Sequence, residues 1–320
     1  MTHPTNHFFT PSLSIDQHLS RIEFDPRLSY DQDREPSEAQ RRITKTGLLI
    51  VQRTWPRLED LPTLHVVNDP TMITRLEDVI RRDSNPAPFL CERLECHLNS
   101  IRDKMVGRKL TSENRLTTLS LQVARATDVL RHERSAFPRR PLIGSFELSD
   151  TQNALDFHDI RLLKEFLPPK AQPQGSGKPD VVLVDANGRI ILAVEDKFRL
   201  GFKEFSKFLG WFAEGRLTVQ LTAVKAPFFR SMATQDWCHR ICQIWEELVV
   251  CKCPFVILSD HECSLVFYIR DLPESRVLAV SNLIRHEPEV IGHMTLAKTY
   301  LGVSILAQDA LESGWKQIPV

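Results

Sequence analysis

Lys178-Pro179-Asp180-Val181-Val182-Leu183-Val184-Asp185-Ala186-Asn187-Gly188-Arg189-Ile190-Ile191-Leu192-Ala193-Val194-Glu195-Asp196-Lys197 is the stretch that decides the fold. Two apolar runs rich in β-branched residues, Val181 to Val184 and Ile190 to Val194, flank Asn187-Gly188, a pair that accepts the positive φ angles of a type I′ turn. If Asn187 and Gly188 form the loop, Ala186 pairs with Arg189, and counting outward sets Asp180 opposite Glu195. Side chains alternate along a strand, so Glu195 and Lys197 share a face and Asp196 points away. The hairpin therefore gathers Asp180, Glu195 and Lys197 on one patch.

Those three groups have a chemical use. Asp180 and Glu195 supply hard oxygen donors suited to Mg²⁺ or Mn²⁺; Mg²⁺ keeps several waters and takes one or two protein carboxylates plus phosphate oxygens. Such an ion acidifies a water and polarises a phosphodiester, and Lys197 beside it orients the attacking water or stabilises developing negative charge. The competing reading is an ordinary edge hairpin carrying a solvent-facing ion pair between Glu195 and Lys197.

Pro179-Asp180, a hairpin, then Glu195-Asp196-Lys197 resembles the PD-(D/E)xK nuclease superfamily, and the helical leader ahead of the motif resembles uncharacterised fungal members. Glu195-Asp196-Lys197 is the only acidic-x-Lys triplet in the chain. The resemblance implies an α+β or α/β fold: a restriction-endonuclease-like core, a mixed β-sheet flanked by helices, with a helical N-terminal region. It implies a Mg²⁺-dependent nuclease in which Asp180 and Glu195 bind metal and Lys197 is catalytic, with DNA or RNA as partner. It also implies a further acidic ligand from a preceding helix, for which Glu113 is the candidate and Glu133 and Glu147 weaker ones; the competing reading of Glu113 is a dipole or capping partner in the first turn of its helix. Some branches carry a Gln-x-x-x-Tyr pair on a later helix. Gln243 matches its first half, as a site neighbour or as a plain helix-surface glutamine, but Glu247 stands where the tyrosine would be.

The remaining composition bounds this reading. With 320 residues, 42% of them hydrophobic, the chain can bury a sizeable core, and its formal charge of zero means that nucleic acid must be drawn by a local basic surface. Basic residues between Arg102 and Arg140 offer one such surface, unless they are simply solvated helix faces. No signal-peptide pattern and no membrane-length apolar run occurs, so an intracellular protein, nuclear or cytoplasmic and not in a membrane, is expected. Seven cysteines, an odd number, fit reduced thiols.

In order, residues 1–37 read as a disordered leader, 38–109 as a helical N-terminal region, 110–275 as the nuclease-like core and 276–320 as a helical closure. Asp69-Pro70 starts a helix at 71–82 with Met72, Leu76, Val79 and Ile80 at helical spacing. Leu142 to Leu148 is a candidate first strand, and 157–166 a helix or strand. The aromatic run Phe202, Phe205, Phe208, Trp211 and Phe212 reads as core. Asp236 to Val250 reads as a helix with Ile241, Ile244, Trp245 and Leu248 inward, and Pro254 to Leu258 and Ser264 to Ile269 as strands joined at 259–262.

Cys238, Cys242, Cys251, Cys253 and Cys263 with His239 and His261 miss the paired spacing of zinc knuckles, so buried thiols fit better. Gly175-Ser176-Gly177-Lys178 lacks the upstream glycine and following helix of a phosphate loop. The alternative function keeps the fold without the chemistry: a catalytically inactive nuclease-fold module that binds nucleic acid or a protein.

Overall fold

The computed structural model describes residues 63–82, 120, 121, 123, 124, 140–143, 179–184, 190–197, 200–210, 217–220, 237, 240, 241, 243–245, 247, 248, 252–260, 262–270, 277–286 and 294–314. These build a mixed sheet of nine strands: β1 (Thr63–Asp69), β2 (Arg140–Ile143), β3 (Val181–Val184), β4 (Ile190–Asp196), β5 (Leu217–Gln220), β6 (Phe255–Ser259), β7 (Cys263–Arg270), β8 (Val277–Ser281) and β9 (Ile284–Arg285). The strand order is β2-β3-β4-β6-β7-β8-β1-β5, with β9 on β7. The β4–β6 and β1–β8 pairs are parallel and the other pairs antiparallel.

The hairpin forms as its residues dictate, with Val181 opposite Val194, Val182 opposite Ala193 and Leu183 opposite Leu192. Carried one residue further, this register places Asp180 opposite Glu195. Between Leu183 and Val184 the register slips, so that Val184 meets Ile190 instead of Ile191. Such an irregularity adds twist close to a turn, and the turn itself, residues 185–189, lies outside the described residues. The hairpin is no edge: β2 flanks β3 and β6 flanks β4, and all seven residues of β4 are buried.

Three helices have defined bounds, α1 (Met72–Arg82), α2 (Gly201–Gly210) and α3 (Leu296–Glu312). Asp69 starts α1: its Oδ1 accepts from Thr71 N at 2.9 Å and Thr71 Oγ1 at 2.6 Å, satisfying an N–H that the first turn leaves without a partner. Met72, Leu76, Val79 and Ile80 are the buried stripe, as their spacing requires. Thr295 caps α3 by accepting from Lys298 N at 3.2 Å, and Gly314, at φ +83°, ends it in the left-handed conformation glycine adopts without penalty.

Helices cover both faces. One face packs α1, α3 and the helical residues Leu121, Val123 and Ala124 onto Val181, Leu183, Leu192, Val194, Phe255 and Ile257. The other carries α2 and the helical residues between 237 and 248, where Phe208 stacks on Trp237 at 4.1 Å and meets Phe267 of β7 at 6.5 Å. The aromatic run is thus core at Phe205 and Phe208, whereas Phe202 is exposed and Trp211 and Phe212 lie outside the described residues.

Three strands fall where helices were expected: β1 within 38–109, and β8 and β9 within 276–320. Apolar runs this short carry no periodicity that separates strand from helix, and β1 finds its parallel partner only in β8, far along the chain. The first strand of the hairpin sheet starts at Arg140, ahead of the expected Leu142. The 157–166 segment and the basic run from Arg102 to Arg139 lie outside the described residues. Among the described residues no helix is long and apolar enough to cross a membrane.

Candidate functional site

The C-terminal end of β4 presents its charged residues to opposite faces, as alternation predicts. Glu195 is buried and its Oε1 accepts an ion-paired hydrogen bond from Lys197 Nζ, with both side chains largely shielded from solvent. This shielding separates the pair from the solvent-facing bridge of an edge hairpin. Backbone contacts fix the geometry: Lys197 N donates to Ser259 O at 2.8 Å, which extends the β4–β6 pairing past Asp196. At the end of β6, Asp260 Oδ1 accepts from Glu262 N at 3.1 Å and Cys263 N at 2.9 Å, which makes the turn into β7.

Asp180 is buried, and its Oδ2 accepts from Asp196 N at 2.8 Å. Its role is therefore partly architectural, since it satisfies a backbone donor just past the strand pairing. Asp196, fully buried on the opposite face, accepts at Oδ1 from Ser120 Oγ at 2.8 Å. Tyr300 of α3 lies in the same pocket. Burial first, and then the charges of Asp196 and Asp180, push its phenol well above the usual range, against an opposing hydrogen bond with Ser120.

A fourth acidic residue joins the site. Glu247 is 2% exposed, on a helix that covers the Glu195 face. Gln243 Nε2 donates to its Oε1 at 3.1 Å. Burial, the charge of Glu195 and a hydrogen bond with Glu195 raise the Glu247 carboxyl well above the ordinary range; Lys197 opposes this and Asp180 adds to it. Two buried carboxyls in contact cannot both carry charge without a proton or a cation between them. Apart from that mutual contact, Glu195 Oε2 and Glu247 Oε2 have no hydrogen-bond partner among the described residues.

The sequence reading brought Asp180, Glu195, Lys197 and Gln243 to this region but passed over Glu247 as a mismatch to tyrosine. The signal was present: Glu247 follows Ile244 by three residues, inside the stripe of Ile241, Ile244 and Leu248, where an unpaired carboxylate is costly. Glu113, Glu133 and Glu147 lie outside the described residues.

Among the described residues no group of three or more His, Cys, Asp or Glu side chains is arranged to hold a metal ion. The two orphaned buried oxygens of Glu195 and Glu247 do fit a hard cation that takes two carboxylates and completes its shell with water and substrate oxygens. For zinc, Cys253 and Cys263 are free buried thiols, and Cys238, Cys242, Cys251, His239 and His261 lie outside the described residues. Burial, with Glu247 beside it, pushes the Cys253 thiol far up, which suits an inert core residue.

Fold and site together define a mixed α/β protein with buried acidic residues and a lysine gathered at one strand end. Compared with protein-family models, curated proteins and solved structures, the chain matches none.

Proposed function

We propose that this protein is a divalent-metal-dependent phosphodiester hydrolase acting on nucleic acid, built on a restriction-endonuclease-like core. The observation that carries the reading is the meeting of Asp180, Glu195 and Lys197 at the end of β4, through the hairpin register that their sequence spacing demands. The order β2-β3-β4-β6, antiparallel twice and then parallel, with helices on both faces, supports the same core.

Glu195, with Asp180 beside it, is the carboxylate that would hold Mg²⁺ or Mn²⁺. When bound, the ion supplies Lewis-acid polarisation of the phosphoryl group and a more acidic water. Lys197, its ammonium held by Glu195 and its backbone by Ser259, sets a positive charge at the strand end, where it would stabilise a phosphoryl oxygen or orient an attacking water. Burial of Glu195 beneath Glu247 keeps bulk water from screening these charges.

The test is incubation of the full chain with plasmid, single-stranded DNA and RNA, in Mg²⁺ or Mn²⁺ against EDTA. Metal-dependent cleavage that falls about 10²-fold or more in Glu195→Ala and in Lys197→Ala is expected. Cleavage that survives both changes, or none on any substrate, overturns the reading. A second reading, a catalytically inactive module of this fold that binds nucleic acid or a protein, is favoured by the internal neutralisation of Glu195 by Lys197. Nucleic-acid binding without turnover in either metal would select it.

A further inference from the structure

We propose that Glu247, aimed by Gln243, is a cation ligand of this site, sharing with Glu195 a two-carboxylate seat for a hard divalent metal ion. The inference rests on the metal-dependent reading above and supplies the additional acidic ligand for which the sequence offered Glu113. Its basis is positional. Glu195 comes from β4 and Glu247 from a covering helix; both are at least nine-tenths buried, and each has a side-chain oxygen with no donor among the described residues. The other Glu195 oxygen is engaged by Lys197 and the other Glu247 oxygen by Gln243, which leaves one oxygen on each of the two neighbouring carboxyls for a shared ion.

A helix residue placed only for packing would be apolar here, like its neighbours Ile244, Trp245 and Leu248. A carboxylate retained in that stripe, with a glutamine one turn earlier holding its rotamer, has the arrangement of a metal ligand with its orienting partner. Asp180 then stands beside the seat instead of closing a three-carboxylate cage, in line with its bond to Asp196 N.

Binding of Mn²⁺ to the full chain, followed by calorimetry and by the loss of the free-ion paramagnetic signal, tests this without reference to turnover. The wild-type chain takes up Mn²⁺, and Glu247→Gln weakens the affinity about ten-fold or more. Glu77→Gln, on the exposed side of α1, leaves it unchanged. In EDTA the melting temperature of Glu247→Gln equals or exceeds that of wild type, because the amide needs no proton to lie against Glu195, while the Mn²⁺-induced rise shrinks. Wild-type affinity in Glu247→Gln overturns the proposal, as does a wild-type chain that takes up no Mn²⁺. If Glu247→Gln does not fold, Gln243→Met decides, since it keeps the carboxylate and removes its aim: a several-fold loss supports the proposal and unchanged affinity overturns it. Mn²⁺ held through Glu247 by a chain that cleaves nothing leaves this site standing and removes the hydrolase. Cleavage that requires Glu195 and Lys197, with Mn²⁺ bound equally well by Glu247→Gln, does the reverse.

Discussion

Asp180 and Asp196 hold one another across the hairpin: the backbone N–H of Asp196 donates to Asp180 Oδ2 at 2.8 Å, while the Asp196 side chain turns to the far face and takes the Ser120 hydroxyl. Asp180→Ala leaves a buried N–H without this acceptor, at a cost of about 1–3 kcal/mol. Asp180→Asn keeps a carbonyl in place and costs less. Urea denaturation of the two variants against wild type checks the order; equal stability of Asp180→Ala and wild type would refute the architectural role.

Glu247 imposes a pH dependence whose sign follows from its raised carboxyl. The unfolded chain titrates it near 4.5, whereas the folded chain holds the proton to higher pH. The folded state therefore binds more protons over the interval between the two values, and stability falls as pH rises through it. The contribution is complete below the unfolded value and is lost once the pH passes the folded one. Melting profiles in EDTA from about pH 4 to pH 8 should show wild type losing stability relative to Glu247→Gln, and parallel profiles would contradict the assignment.

Asp69 ties β1, α1 and β7 together, accepting from Thr71 and, at Oδ2, from Tyr268 Oη at 2.7 Å. Burial alone would raise its carboxyl, but the bonds from Thr71 and Tyr268 and the charge of Arg75 outweigh it and lower the value. Burial and Asp69 in turn push the Tyr268 phenol up to about 12. Tyr268→Phe should cost about 0.5–1.5 kcal/mol, and Asp69→Ala, which also removes the helix cap, about 0.5–2 kcal/mol more. The stability that Asp69 confers is present above the ordinary aspartate range and is lost as pH falls through its lowered value, so the deficit of Asp69→Ala should narrow in acid.

Gly302 of α3 faces Leu76 and Ile80 of α1. A Cβ there would stand 3.2 Å from Leu76 Cδ2 and 3.3 Å from Leu76 Cβ and Ile80 Cδ1. In Gly302→Ala the gain in helix propensity, about 1 kcal/mol, opposes the crowding, so the net change should stay within about 1 kcal/mol. Gly302→Val adds two more methyl groups and should lose about 1–3 kcal/mol, measurable as a lowered melting temperature.

How much of this could be read beforehand varies with the kind of signal. Asn187-Gly188 between two β-branched runs specified the Val181–Val194 register, and through it the neighbourhood of Asp180, Glu195 and Lys197. The slip at Val184 left no trace, because in a strand buried on both faces no polar residue reports which side each position takes. The stripe Met72, Leu76, Val79 and Ile80 identified α1, whereas His65 to Asn68 gave no hint of a strand whose partner is Val277 to Val280. Glu247 was visible as an acid on an apolar helix face; its meaning required the strand beneath it.

The parallel junction of β1 with β8 joins residues roughly two hundred positions apart, such as His65 and Val277. At synthesis speeds of about 5–20 residues per second, β1 leaves the ribosome on the order of ten to forty seconds before the strand that receives it. Until then its other neighbour, β5, can offer only a two-stranded ribbon, which is marginal in water. Closure of this half of the sheet is thus a late event in folding, and a fragment cut just after Asp69 would leave β8 with an open edge, ready to pair with another molecule.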